Sequence, residues 1–202
     1  MFSIQVSELA KKYKKSIVLN KVNLTLDSGN LYVISGHNGV GKSTFMKCIC
    51  DLISFQGSVK VDRKISYLPE KVIIPEYIKV IDFLDLVLKI KNKTCDKEKL
   101  TEYLDKFNIS KYYNMYIHTL SLGTRQKILL IQALMDDKDI YLFDEPLNGL
   151  DKSSIAMFKN ELQSLINRKK LVIIISHDQS IFTDITHKKI TIENGEINVV
   201  SS

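Results

Sequence analysis

The 202-residue chain has no apolar run near the ~18–20 residues that a membrane-crossing helix requires. Its longest, Leu171 to Ile175, fits a buried strand, so the chain does not itself span a bilayer. Cysteine is scarce and odd in number, three in all, which suits a reducing cytosol better than a disulfide framework. Cys48 and Cys50 stand on an expected helix and point to different sides, with no His or further Cys nearby at metal-ligand spacing. The opening MFSIQVSEL alternates like a strand and lacks the charged region, apolar stretch and cleavage site of a signal peptide. Repeats and low-complexity segments are missing. So is a clustered basic stripe: Lys and Arg number 29 against 23 Asp and Glu, a net charge of +6, and the Lys residues are spread along the chain. No nucleic-acid partner is expected from that distribution. What is there is ordinary globular composition, 45% hydrophobic and 26% charged, enough for one domain with a sizeable core.

Along the chain, FSIQVSEL and VNLTL read as two short strands closed by the turn Asp27-Ser28-Gly29. A third strand, LYVIS, runs into a glycine-rich segment from Gly36 to Gly41, and a helix starts near Lys42. Two short strands, VKVD and ISYL, precede a loop bracketed by Pro69 and Pro75. From Val80 to about Phe107 the spacing turns helical, with Val80, Phe83, Leu84, Val87 and Leu88 on one stripe and Asp96 opening a second helix. After Ser121 come a helix through Met135, the strand IYLF, a helix from Asp151 to Asn167, the strand LVIIIS, and a hairpin turning at Asn194-Gly195. Near-continuous apolar strands alternating with helices predict an α/β fold with a mainly parallel sheet covered on both faces and an inserted helical subdomain.

Three segments carry chemistry. Gly36 to Thr44, GHNGVGKST, fits GxxxxGK[ST] in full and sits between a strand and a helix. Its glycines let several backbone N–H groups of Gly36, His37, Asn38, Gly39, Val40, Gly41, Lys42, Ser43 and Thr44 converge on phosphate oxygens, and the helix start adds its positive dipole end. The His37 side chain stands at a variable position and reads as solvated. Lys42 would reach the β and γ phosphates, and the Ser43 hydroxyl would take a position on Mg²⁺. The strand IYLF delivers Asp144 and Glu145 to the carboxyl edge of the sheet, where open α/β sheets bind ligands. Asp144 is placed to hold Mg²⁺ through its water shell, and Glu145 to polarise or deprotonate an attacking water. LVIIIS brings His177 to the same edge for a γ-phosphate or water contact.

GHNGVGKST, LSLGTRQK (Leu120 to Lys127), IYLFDEP, LNGLD (Leu147 to Asp151) and ISHD, in that order, resemble the nucleotide-binding subunit of an ATP-binding-cassette (ABC) transporter over the whole chain. The resemblance implies a P-loop NTPase core of RecA-like type at about 1–69 and 119–202, with an antiparallel β part at the N-terminus. It places the helical subdomain at about 70–118, within one ABC ATPase domain spanning 1–202. It implies ATP and Mg²⁺ as cofactors and Tyr13 stacking on adenine. Ser121 and Gly123 would contact the γ phosphate held by another ATPase subunit, in a homodimer or heterodimer, and Asp151 would reach that partner while also capping the helix that follows it. It also implies an integral membrane permease subunit as partner, and so a cytoplasmic protein peripheral on the inner face of the cell membrane. On that docking groove we expect Ile73, Ile74, Pro75 and Tyr77, unless they belong to the subdomain's own core.

Two departures stand out. The family signature reads LSGGQ, where this chain has Leu122 and Thr124; and Glu70, in ISYLPE, replaces a glutamine expected to touch Mg²⁺ and the water. A carboxylate is itself a hard oxygen ligand but brings negative charge towards phosphates. Together they resemble the exporter branch associated with drugs, antimicrobial peptides and self-immunity. The rival reading is a soluble ABC ATPase acting on nucleic acid or ribosomes, whose members usually carry a coiled insertion or tandem cassettes that this chain lacks.

Overall fold

In the computed structural model, which describes residues 1–14, 16–90 and 97–201, the chain opens on two long antiparallel strands, β1 (Ser3–Tyr13) and β2 (Ser16–Asp27). Both run further than their sequence pattern predicts. Register shifts between Val6 and Leu9 and between Leu9 and Lys12 break the period-2 alternation that marks a strand, yet pairing continues through them. There follow β3 (Leu31–Ser35), α1 (Lys42–Ile49), β4 (Gln56–Lys60), β5 (Ile65–Leu68), α2 (Val80–Ile90), α3 (Lys97–Lys106), α4 (Leu122–Met135), β6 (Ile140–Asp144), α5 (Lys152–Asn167), β7 (Leu171–Ile175), β8 (Lys188–Glu193) and β9 (Glu196–Ser201). Asp96, expected to open α3, lies outside the described residues.

The strands form two sheets, a three-stranded antiparallel one in the order β2-β1-β4 and a six-stranded one in the order β5-β6-β7-β3-β8-β9. β4 therefore joins the antiparallel layer, which is not built from the N-terminus alone. In the larger sheet every pairing is parallel except that of β8 with β9. Its central strands are buried except for Ser35 at the end of β3, and their alternate side chains divide between two cores. Leu31, Val33, Tyr141, Phe143, Val172 and Ile174 face α2 to α5. Tyr32, Ile34, Ile140, Leu142, Leu171 and Ile173 face α1 and the antiparallel sheet. A continuous apolar sequence is the consequence of covering both faces of one strand.

The helical segment between β5 and β6 is closed at its base. Backbone N–H groups of Val80 and Ile81 donate to the carbonyls of Met115 and Tyr113, while those of Ile117 and His118 donate back to Ile78 and Glu76. Apolar residues of α2 and α3, among them Phe83, Leu84, Leu100 and Leu104, belong to the same cluster as α4, Phe143 and Phe158. Of the four loop residues expected at a docking groove, Ile74 packs on that cluster, whereas Ile73 is 99% and Tyr77 83% exposed. The Tyr77 and Tyr116 rings flank His118 at centroid distances of 5.1 and 5.8 Å.

α5 is anchored on this core by Phe158, fully buried with its ring edge-on to Phe143 at 5.2 Å. Phe158→Ala removes that ring from a packed face, and we expect a loss of about 3–5 kcal/mol in unfolding free energy, read from the urea midpoint at constant slope.

Candidate nucleotide-binding site

Because β5, β6, β7 and β3 are parallel, their carboxyl ends meet along one edge. Asn38, Gly39, Gly41, Lys42, Ser43, Thr44, Glu70, Asp144, Glu145, Ile175 and His177 line a single cavity of about 290 Å³ there. The sequence motifs are thus brought together from four different strand ends. Gly41 caps α1 with φ 115°, and a Cβ there would stand 3.1 Å from the Val18 carbonyl oxygen and 2.7 Å from a Val18 methyl. Only glycine lets the loop pass β2 so closely. α1 has no side-chain cap and no acidic residue in its first turn, so its leading N–H groups face the cavity without an internal anion to answer them.

Lys42 is buried, and its ammonium donates to the carbonyls of Gly36 (2.6 Å) and His37 (3.1 Å), so those two residues hold the lysine while not lining the cavity. Val40 also stands behind the loop, its N–H donating to His37. Ser43 and Asp144 line the cavity together, and the serine hydroxyl favours the charged form of the carboxylate. Burial raises the Asp144 pKa; Ser43 and the ammonium groups of Lys47 and Lys42 pull against it, and the Glu70 charge adds to it. Lys47 was not singled out from the sequence, although it stands one helical turn beyond Ser43 and so on the same side of α1. Ser43, Asp144 and Glu70 offer oxygen donors of the type Mg²⁺ takes, and a cation there would leave its remaining positions to phosphate and water. Among the described residues no group of three or more His, Cys, Asp or Glu could hold a metal without such help.

Glu145 adopts φ 51°, a left-handed conformation costly for a residue with a Cβ, and its N–H donates to the Ile175 carbonyl at 3.1 Å. That turn sends the side chain back into the cavity, where Oε1 lies 3.3 Å from His177 Nε2. Burial raises the Glu145 pKa, opposed by the His177 ring and its backbone N–H and by Lys42, and reinforced by Asp144.

Tyr13, Ser121 and Gly123 do not line this cavity. Tyr13 ends β1 and is half exposed. Ser121 caps α4, accepting from the Thr124 N–H. A Cβ on Gly123 would fall 2.3 Å from the Gly149 carbonyl oxygen, so the start of α4 is pressed against the loop that follows Glu145. Gln126 donates to the Pro146 carbonyl at 3.0 Å, and Lys127 pairs at 2.9 Å with Asp151, which also caps α5 through the Ser154 N–H. Sequence spacing assigns the cap but not the two cross-links, which join segments some twenty residues apart.

A model of the ABC transporter family matches residues 19–148, which hold the glycine loop, the α4 segment and the paired carboxylates. The chain belongs to the ABC transporter family. Its relatives include an ATP-binding protein of a lipopolysaccharide export system from Haemophilus influenzae, 29% identical with 98% of this chain and 89% of that protein covered. A manganese transport ATP-binding protein from Halalkalibacterium halodurans is 27% identical over 88% of this chain and 77% of its own. The ATP-binding subunit of an ABC transporter whose structure is solved superposes with a TM-score of 0.91 at 21% identity, covering 99% of this chain and 90% of its own, and shows the same fold. The ABC protein is thus an α/β P-loop NTPase that binds ATP and hydrolyses it. No helix among the described residues is long and apolar enough to cross a membrane.

The raised Glu145 pKa has a consequence for the empty ABC protein. A carboxyl whose folded pKa lies above its unfolded value holds its proton more tightly when folded, so it weakens the fold as pH rises through that window. Glu145→Gln should therefore raise the melting temperature at pH 7.5, with the gain shrinking as pH falls through the raised folded pKa and gone below about 4.5, the unfolded value; differential scanning calorimetry across pH without nucleotide checks it.

Proposed function

We propose that this chain is the ATP-hydrolysing subunit of an exporter, acting at sites completed by a second ATPase subunit and coupled to a separate membrane permease. The observation that carries it is the convergence of Lys42, Ser43, Asp144, Glu145 and His177 on one cavity, while Ser121 and Gly123 stand elsewhere on the surface. In this reading the leading N–H groups of α1 and the Lys42 ammonium hold the β and γ phosphates. Ser43 and Asp144, with Glu70, hold Mg²⁺, which supplies charge neutralisation for the transferred phosphoryl group. Glu145, held by strain and by His177, takes the proton of the in-line water. His177 at 3.3 Å steadies the carboxylate and turns towards the γ phosphate. Tyr13 receives adenine.

A second helix start, that of α4, has its own cap, no acidic residue in its first turn and no lysine loop. It suits a phosphate bound by another chain, either a second copy or a close relative. Closure on ATP and release after hydrolysis then form a two-state cycle driven by the ligand. Leu122, 74% exposed at a position where the family has glycine, and Glu70 are the features that support reading the chain as one of the exporters concerned with drugs, antimicrobial peptides and self-immunity. The permease would dock on Ile73, Tyr77 and Tyr116, an exposed apolar and aromatic ridge at the base of the helical segment, putting the protein on the cytoplasmic face of the membrane.

Glu145→Gln should keep ATP binding, lose at least about 100-fold in turnover and accumulate an ATP-bound dimer on size-exclusion chromatography. Lys42→Ala should lose ATP affinity in calorimetry. Monomer alone for the glutamine variant with Mg-ATP, permease added or not, would contradict the two-chain site. Ile73→Glu with Tyr77→Ala should leave basal hydrolysis intact and abolish co-purification with the permease; unchanged co-purification would move the docking surface elsewhere.

A further inference from the structure

Lys11 and Tyr13 lie two residues apart at the irregular end of β1, where the register shifts between Lys11 and Lys12. The Lys11 ammonium lies 4.9 Å from the Tyr13 ring centroid, within cation–π range. It also donates to the Ser54 carbonyl, in the segment joining α1 to β4. The lysine is thus tied at once to the ring and to the connection leaving the helix that bears Lys42 and Ser43. Tyr13 pairs with Ser16 and Lys12 with Ile17, and the next residue, Val18, abuts Gly41 of the phosphate loop. The ring therefore stands at the tip of a hairpin whose return strand runs alongside the phosphates' place.

An aromatic side chain at a strand end, 46% exposed, has several rotamers open to it, and each must be given up when a base stacks. We infer that Lys11 is a positioning residue for the base: its ammonium, anchored on Ser54, fixes the Tyr13 ring so that adenine stacks on the opposite face. The cation also draws charge from the ring, which favours offset contact with an electron-rich purine. Lys11 touches neither phosphate nor base, and its effect on affinity runs through Tyr13. The inference rests on the reading of Tyr13 as the adenine platform.

Titration calorimetry with ATP, ADP and inorganic tripolyphosphate separates the two. In Lys11→Met, which keeps the aliphatic stem, ATP and ADP should weaken alike by about two- to fivefold while tripolyphosphate binds as before, and Lys11→Arg should restore most of the loss. In a Tyr13→Ala background Lys11→Met should have no further effect on ATP. An equal loss for tripolyphosphate would overturn the inference, because Lys11 would then act on the phosphates. If Tyr13→Ala weakens ATP but Lys11→Met does not, the inference fails and the stacking stands. If Tyr13→Ala binds ATP as the wild type does, the stacking itself is wrong and the inference falls with it.

Discussion

Parallel register between β3, β6 and β7 governs the molecule: Val33 lies opposite Ile174 and Phe143 opposite Ile174 from the other side, so the three strands end together. The glycine loop, the Asp144–Glu145 pair and His177 each follow directly on one of those ends. A slip of one residue would exchange the two cores, since alternate side chains serve opposite faces, and the apolar burial on both sides resists it. Function thus depends on a register fixed by hydrophobic packing well away from the chemistry.

At that edge the protein accepts local cost. Asp144 and Glu145 are buried carboxyls whose pKa values burial raises, and Glu145 adds a left-handed backbone. Lys42 in turn rests on carbonyls of its own loop. These groups are unfavourable where they stand unless charge of the opposite sign arrives, and a triphosphate with its cation supplies negative charge to the lysine and positive charge to the carboxylates. Sites kept ready in this way need little rearrangement during reaction.

Residues 146 to 151 link the cavity to the start of α4 within one chain. They follow Glu145 directly, accept Gln126 at Pro146, crowd Gly123 at Gly149 and bind Lys127 at Asp151. A shift of Glu145 on ligand binding has a short physical route to the start of α4.

The GxxxxGK[ST] loop, the apolar strands ending in Asp144-Glu145 and in Ser176-His177, and the Asp151 cap follow from local spacing, because each is a property of a short stretch of chain. The lengths of β1 and β2 did not, since register shifts hide their alternation, and neither did the joining of β4 to β1. The fate of Ile74 against Ile73 and Tyr77 required the packed helices, as an apolar loop residue reads the same whether it faces core or solvent. Lys47 beside Asp144, Lys11 over Tyr13 and Lys127 on Asp151 are meetings of distant segments. What the sequence by itself determined is which residue types occur at each strand end and helix start. Which of them share a cavity, and which stand apart from it, was decided by sheet order and register, which bring residues together only once the chain has closed on itself.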